Sequence, residues 1–304
     1  MQELNQIYDR IFKRIFSMSH LSIINLINGL FQTNYPPDSK VTFPNKESHN
    51  SKLRRKYADI FVTINDQNTY HLEAQMQKDK NIVMRVFEYG YFEAIESRED
   101  DGYIKFPDPV IIYLSKETGI PEESCLQIDF GKQGIFYYKV KNYVYLDHDV
   151  IELNQKKMIL LIPFQLLKLR NQIDHDLKNG GLKEEHIDEL KKLIQNDIVG
   201  SISANLQVGN ILVDDAKQLI ELVNILFHHI YEKCMESRGV EEVSRLLEGA
   251  IELPGDELRS QIWDLEDQLD EEKKKTDKEK LKVQKMQEEN DRLRKEIELL
   301  KAKK

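Results

Sequence analysis

The chain has 304 residues, of which 40% are hydrophobic, and a formal net charge of −9 at pH 7. That length and apolar content suffice for a full hydrophobic core and roughly two domains, which excludes a mini-protein held together by disulfides. No run of roughly 18 apolar residues is present and the two cysteines lack a CxxC spacing, so we expect a reduced, cytoplasmic protein without zinc and without a membrane partner.

The N-terminal region shows helical periodicity. Apolar residues recur at helical spacing through residues 5–31, and a polar run at 17–20 predicts two helices rather than one. Pro36 and Pro37 predict the end of this helical region, because proline lacks the backbone N–H that a helix needs.

A β-hairpin is predicted next. Residues 57–64 and 69–76 are rich in β-branched and aromatic side chains, and the polar run 65–68 between them is typical of a turn. If Thr63 pairs with Thr69, the register of the whole hairpin follows, because side chains alternate along each strand.

This register places two carboxylates opposite each other. Asp59 falls across from Glu73 on one face, with Cβ atoms about 5 Å apart, and Gln75 shares that face. Directly opposed like charges are destabilising, so a cation is expected between them. Mg²⁺ takes carboxylate, water and phosphate oxygens as ligands, which indicates metal-assisted phosphodiester hydrolysis. The alternative is a carboxylate pair on a solvated strand face with no metal.

Later elements extend the hairpin into a larger core. An apolar face predicts a helix over residues 82–95. Strands are predicted at 110–114, 126–130, 135–140 and 143–146. Strands combined with helices in this way favour an α/β fold, with a mixed sheet and helices packed on it.

Several motifs resemble one nuclease family. Asp59 followed by Glu73-Ala74-Gln75 resembles the Asp…Glu-x-Lys core of the PD-(D/E)XK nuclease superfamily, in the form where Gln replaces Lys. That form is typical of the recombination-promoting nuclease (Rpn) and transposase family. The other matching segments are the Asp-x-x-Phe-Lys helix at 9–16, residues 45–47, the Arg-x-x-x-Tyr pattern of Arg85 and Tyr89, and the strand at 109–114. The resemblance extends from Asp9 to Arg170.

The resemblance implies a restriction-endonuclease-like core and a metal-dependent DNA endonuclease associated with recombination or transposition. Asp59 and Glu73 would ligate Mg²⁺ or Mn²⁺, and Gln75 would orient the attacking water or the scissile phosphate. Asp9 and Tyr89 would be accessory residues. Because Gln75 offers a dipole where Lys would offer a charge, catalysis would depend more heavily on the metal. The alternative is a non-catalytic nucleic-acid-binding or assembly protein that retains this fold.

Contact with DNA requires local positive charge, because the chain as a whole is acidic. The basic run before the first hairpin strand contains Arg54, Arg55 and Lys56. This run lies at the mouth of the predicted site, and Lys13 and Arg85 would extend the contact with phosphates. A basic loop that is merely solvated is the alternative.

The chain after residue 166 is predicted to be helical. Amphipathic segments predict helices at 182–197, 216–235 and 240–251. The adjacent His228 and His229 lack the HExxH spacing of a metal site, so we interpret them as core or surface histidines.

The C-terminal segment has a heptad pattern. Apolar residues keep one register from Leu258 to Leu300, which predicts a coiled coil and a homodimer through residues 258–300. Asn290 occupies an a position of the heptad, which favours a coiled coil of two parallel helices. A single solvated helix is the alternative. The predicted domains are a nuclease-like domain at 1–170, a helical appendage at 171–253 and a coiled-coil tail at 254–304.

Overall fold

The computed structural model describes part of the chain in detail. The described residues are 2–44, 59–98, 102–115, 119–178, 183–231, 243–245 and 247. The chain divides into two units, Met1–Ile251 and Glu252–Lys304, and all described residues lie in the first. The predicted coiled coil at 258–300 and the basic residues Arg54, Arg55 and Lys56 lie outside the described residues.

The described part of the first unit contains both helices and strands. The helices, α1 to α8, are Gln2–Ile15, His20–Phe31, Ile82–Glu96, Val150–Gln155, Arg170–Lys178, Glu184–Lys192, Gly200–Gln207 and Val213–Tyr231. The strands, β1 to β6, are Val41–Thr42, Asp59–Ile64, Asn68–Gln75, Asp108–Tyr113, Glu123–Asp129 and Ile135–Val144. A 3₁₀ helix spans Ile159–Lys168, and a π-helical segment spans Leu193–Val199. Within this described part, no helix is long and apolar enough to cross a membrane.

The strands form one sheet of six, in the order β1-β2-β3-β4-β6-β5. β1, β2 and β3 pair antiparallel, β3 pairs parallel with β4, and β4 pairs parallel with β6. β5 pairs antiparallel with β6 at the end of this order. The predicted fold class, α/β with a mixed sheet and helices, is therefore confirmed at this level. Helix α3 is the crossover between the parallel strands β3 and β4.

The β2–β3 hairpin has the predicted register. Thr63 pairs with Thr69, and Asp59 pairs with Glu73. The hydroxyls of Thr63 and Thr69 are 3.0 Å apart. In the turn, Asn65 has a φ of 53°, a left-handed conformation that Asn adopts more easily than most residues.

The two faces of the sheet pack against different helices. Leu72 of β3 and Ile112 of β4 point into the large core shared with α1, α2 and α8. The opposite face carries Ile111 of β4, which packs with Ile82 and Val86 of α3. Alternation along the strands assigns Glu73 to this second face, since it pairs with Ile111 across β3 and β4.

Strand β6 corrects the prediction of two separate strands at 135–140 and 143–146. It runs without interruption through Lys141 and Asn142, because both of its edges are paired there. Lys141 faces Val110 of β4 on one side and Glu123 of β5 on the other. Backbone pairing on both edges therefore outweighs the low strand propensity of these polar residues.

Helix α2 ends where the predicted helical region 5–31 ends. Its last residue is Phe31, and Gln32 follows in the left-handed conformation with a φ of 56°. The helix therefore stops before Pro36, at a C-terminal cap. The start of α2 is held by Asp215 of α8, whose carboxylate accepts hydrogen bonds from the Ser19 backbone N–H at 2.8 Å and the Ser22 hydroxyl at 2.7 Å.

Candidate active site

The carboxylate of Glu73 lies at the centre of the candidate site. Glu73 stands near the end of β3 and its side chain is 0% exposed. Gln75 is the last residue of the same strand and points to the same face. The Gln75 side-chain amide donates a hydrogen bond to Oε1 of Glu73. The backbone alternation that the sequence predicts thus brings these two polar groups into contact.

Arg85 provides the positive charge for this buried carboxylate. Its Nη2 lies 2.5 Å from Oε1 of Glu73. Its Nη1 donates to Oδ2 of Asp79 at 2.8 Å. The side chain of Arg85 is 15% exposed and that of Asp79 is 36% exposed. The guanidinium therefore bridges a fully buried carboxylate and one that reaches solvent.

The local chain path explains why Arg85 arrives here. The short segment between β3 and α3 contains Asp79, whose Oδ1 accepts the backbone N–H of Asn81 at 2.9 Å. That hydrogen bond fixes the entry into α3, which begins at Ile82. Arg85 lies one turn into the helix, on the side that faces the end of β3.

This ion pair is energetically demanding. A buried charge is tolerated only when it is paired and hydrogen-bonded, and removal of one partner of such a pair costs about 3–5 kcal/mol. Glu73 meets that condition through Arg85 and Gln75. We expected a cation beside the carboxylates. At Glu73 the guanidinium of Arg85 supplies that positive charge.

Aromatic packing supports the strand that carries Glu73. His71 is fully buried, and its ring stacks on Phe61 with centroids 4.2 Å apart and an interplanar angle of 18°. The two residues are directly paired across β2 and β3. Because they precede Glu73 and follow Asp59 on the same face, they form the packed layer next to the candidate site. Tyr89, predicted as an accessory residue, is buried on α3.

The predicted site residues differ in how far the structure describes them. Asp59 is described through its backbone pairing with Glu73, whereas its side chain lies outside the described part. Asp9 lies in α1, and its side chain is likewise outside that part. Lys13 is exposed on α1, a helix whose buried residues join the core on the other face of the sheet. The DNA contacts proposed for Lys13 and Arg85 stay predictions.

Asp79 is a charged member of the site that the sequence analysis did not identify. It lies in a polar segment where an acidic residue before a helix is ordinary. Its ion pair with Arg85 depends on how the segment folds over the end of β3. No local spacing rule connects a loop carboxylate to a guanidinium six residues later, so no sequence signal could have found the pair.

The backbone register is compatible with a hard divalent cation between Asp59 and Glu73. Two carboxylates on directly paired residues can hold one ion between them, and oxygen ligands are those that Mg²⁺ and Mn²⁺ prefer. Arg85 already occupies Oε1 of Glu73, so an ion there would share that carboxylate with the guanidinium. Among the described side chains, which do not include that of Asp59, no group of three or more His, Cys, Asp or Glu could hold a metal.

Comparisons with known proteins identify no relative. No family model matches the chain. No curated protein matches it, and no solved structure matches it. The resemblance to PD-(D/E)XK nucleases therefore stays a prediction that depends on the residues quoted above.

Proposed function

We propose that this protein is a metal-dependent DNA endonuclease of the PD-(D/E)XK type, with Asp59 and Glu73 as ligands of Mg²⁺ or Mn²⁺. One observation carries the proposal: Asp59 and Glu73 are directly paired in the hairpin, and Gln75 contacts Glu73. Two carboxylates on paired residues, with an amide beside one of them, are an arrangement suited to metal-assisted hydrolysis of a phosphodiester.

Each residue has a chemical role in this proposal. A bound Mg²⁺ or Mn²⁺ would polarise the phosphoryl group and lower the pKa of a water ligand. Asp59 and Glu73 would hold the ion, and the packed strands β2 and β3 keep their backbones in register. Gln75 orients the attacking water or a phosphate oxygen through its amide, which offers both a donor and an acceptor.

The fold and the rest of the sequence support the same proposal. The mixed sheet, with α3 crossing between β3 and β4, is compatible with a restriction-endonuclease-like core. Arg54, Arg55 and Lys56 directly precede β2 in the sequence, where positive charge could contact DNA phosphates. A coiled coil at 258–300 would join two copies and so pair two sites on one DNA. We propose a cytoplasmic enzyme acting in recombination or transposition.

A plasmid-nicking assay with and without Mg²⁺ tests the proposed activity. We expect nicking that depends on the ion and is lost in Asp59→Asn and in Glu73→Gln. Asp66→Asn is the matched control. Asp66 is an exposed carboxylate in the hairpin turn, and it pairs with Lys40. Equal nicking by the wild type and by both site variants would remove the assignment.

The second candidate is a non-catalytic nucleic-acid-binding or assembly protein with the same fold. The ion pair between Arg85 and Glu73 favours it, because the buried carboxylate already has a counter-charge without any metal. Calorimetric titration with Mn²⁺ distinguishes the candidates. Binding heat that disappears in Asp59→Asn and Glu73→Gln supports the enzyme, and the absence of such heat in the wild type supports the binding protein.

A further inference from the structure

Three charged side chains form a line from the interior to the surface. Glu73 is fully buried, Arg85 is mostly buried, and Asp79 is at the boundary with solvent. One guanidinium nitrogen of Arg85 contacts each carboxylate. The arginine can therefore lose one of these contacts and keep the other.

A divalent ion at Glu73 would meet this guanidinium at close range. Two like charges a few ångströms apart in a partly buried site repel strongly enough to change affinity on the order of tenfold to a hundredfold. The Oε1 atom that Arg85 contacts is also one of only two oxygens that Glu73 can offer to an ion. Arg85 and a metal thus compete for the same carboxylate.

Asp79 gives the displaced guanidinium a second anchor. Its Oδ2 accepts from Nη1 of Arg85 while its Oδ1 is held by the backbone of Asn81. This carboxylate is therefore fixed in place before any ion arrives. An arginine has several N–H donors on a flexible stem, so it can turn away from Glu73 and stay bound to Asp79.

We propose that Arg85 is a resident counter-ion, which contacts both Glu73 and Asp79 when the site is empty, and which releases Glu73 but keeps Asp79 when a divalent cation binds. This inference rests on the proposed metal site and adds to it a mechanism that sets its affinity. Arg85 and Asp79 are positioning residues in this scheme, since they act on the cation through Glu73. The arginine keeps the buried carboxylate paired and hydrogen-bonded until the metal replaces it.

The decisive measurement is the affinity for Mn²⁺, by calorimetry, of the wild type and of Arg85→Gln. We expect the variant to bind Mn²⁺ at least about tenfold more tightly, because the competing charge is gone. Arg85→Lys keeps that charge and should bind like the wild type. Lys80→Gln removes an exposed positive charge from the same segment and serves as the control for net charge. A purely structural role for Arg85 would instead weaken or abolish binding in Arg85→Gln.

Thermal unfolding gives a second readout that does not depend on catalysis. Without Mn²⁺, Arg85→Gln should melt below the wild type, since the buried ion pair between Arg85 and Glu73 is lost. Saturating Mn²⁺ should raise its melting temperature more than that of the wild type, because ligand stabilisation increases with affinity.

If Arg85→Gln does not fold, Asp79→Asn decides the question. Asp79→Asn removes the carboxylate that would keep the guanidinium when it leaves Glu73, so Mn²⁺ should bind more weakly than in the wild type. Asp66→Asn is the control for loss of one carboxylate at a distance. Equal affinity of the Asp79 and Asp66 variants would overturn the inference.

The outcomes separate this inference from the proposed function. Binding of Mn²⁺ that depends on Glu73 but is no tighter in Arg85→Gln than in Lys80→Gln rejects the counter-ion and leaves the nuclease proposal intact. Absence of binding in the wild type and in Arg85→Gln rejects both. Binding that appears only in Arg85→Gln, and disappears when Glu73→Gln is added, supports the counter-ion.

Discussion

Arg85 and Glu73 form a buried ion pair, with Nη2 of the arginine 2.5 Å from Oε1 of the carboxylate. The contact joins the first turns of α3 to the end of β3. It provides a counter-charge for the Glu73 carboxylate, which has no access to solvent. The candidate site is thus organised around a carboxylate with an internal partner, and the proposed metal would have to compete with that partner.

Gln75 should act on the reaction more than on cation binding. In Gln75→Leu the amide that contacts Glu73 is lost while both carboxylates remain. We expect nicking to fall about a hundredfold, which is typical when one oriented dipole is removed from a transition state, with Mn²⁺ affinity nearly unchanged. Nicking rates and calorimetry check this. Gln67→Leu, in the exposed hairpin turn, is the control. Equal nicking by the two variants would contradict the role of Gln75.

Gly29 should be intolerant of a side chain. A Cβ at this position of α2 would lie 2.3 Å from Cγ of Met158 and 2.7 Å from the backbone oxygen of Lys156. Since a backbone atom cannot move aside cheaply, Gly29→Ala should lower the free energy of unfolding by about 1–3 kcal/mol in urea denaturation. Gly200→Ala is the control, because its Cβ would meet Gln195 oxygen at an ordinary 3.5 Å. A destabilised control and an unaffected Gly29→Ala would refute the packing argument.

The pair of Asp176 and His186 should make the free energy of unfolding depend on pH in the acidic range. Burial acts to raise the pKa of Asp176, but hydrogen bonds from the His186 ring and the Lys183 backbone outweigh it and hold the pKa below 3.8. A carboxylate with a depressed pKa stabilises the fold above its ordinary pKa of 3.8, and that contribution is lost as pH falls through the folded value.

The pH dependence can be measured by comparing Asp176→Asn with the wild type. The two should differ in free energy of unfolding near neutral pH, and the difference should shrink as the pH is lowered past 3.8. Asp188→Asn, at an exposed position of α6, should unfold like the wild type at neutral pH. A difference that stays constant down to the most acidic pH would show that Asp176 does not act through its charge.

The heptad pattern at 258–300 predicts the oligomeric state. Full-length protein should sediment as a dimer, and a chain ending at residue 253 as a monomer. Leu265→Lys places a charge on the predicted seam and should weaken the dimer, whereas Gln268→Lys lies off the seam and should not. A truncated chain that keeps the dimeric mass would refute the coiled coil as the dimer interface.

Part of the candidate site could be predicted because its causes are local. The turn at Asn65 and Asp66 sets the hairpin register, and a period of two then determines that Asp59 opposes Glu73. Helix α3 followed from an apolar face that repeats within one element. These features depend on neighbours in the chain, so spacing alone is sufficient to derive them.

The amino-acid sequence by itself determined the α/β class, the hairpin and the pairing of Asp59 with Glu73, because backbone geometry links residue order directly to side-chain direction. Only the tertiary structure decided that β6 is continuous, that Arg85 neutralises Glu73 and that Asp79 holds the other side of the guanidinium. Those three facts arise where separate elements meet. The energy of a buried charge, or of a strand paired on both edges, depends on residues that are distant in the chain, and residue spacing within one element does not specify them.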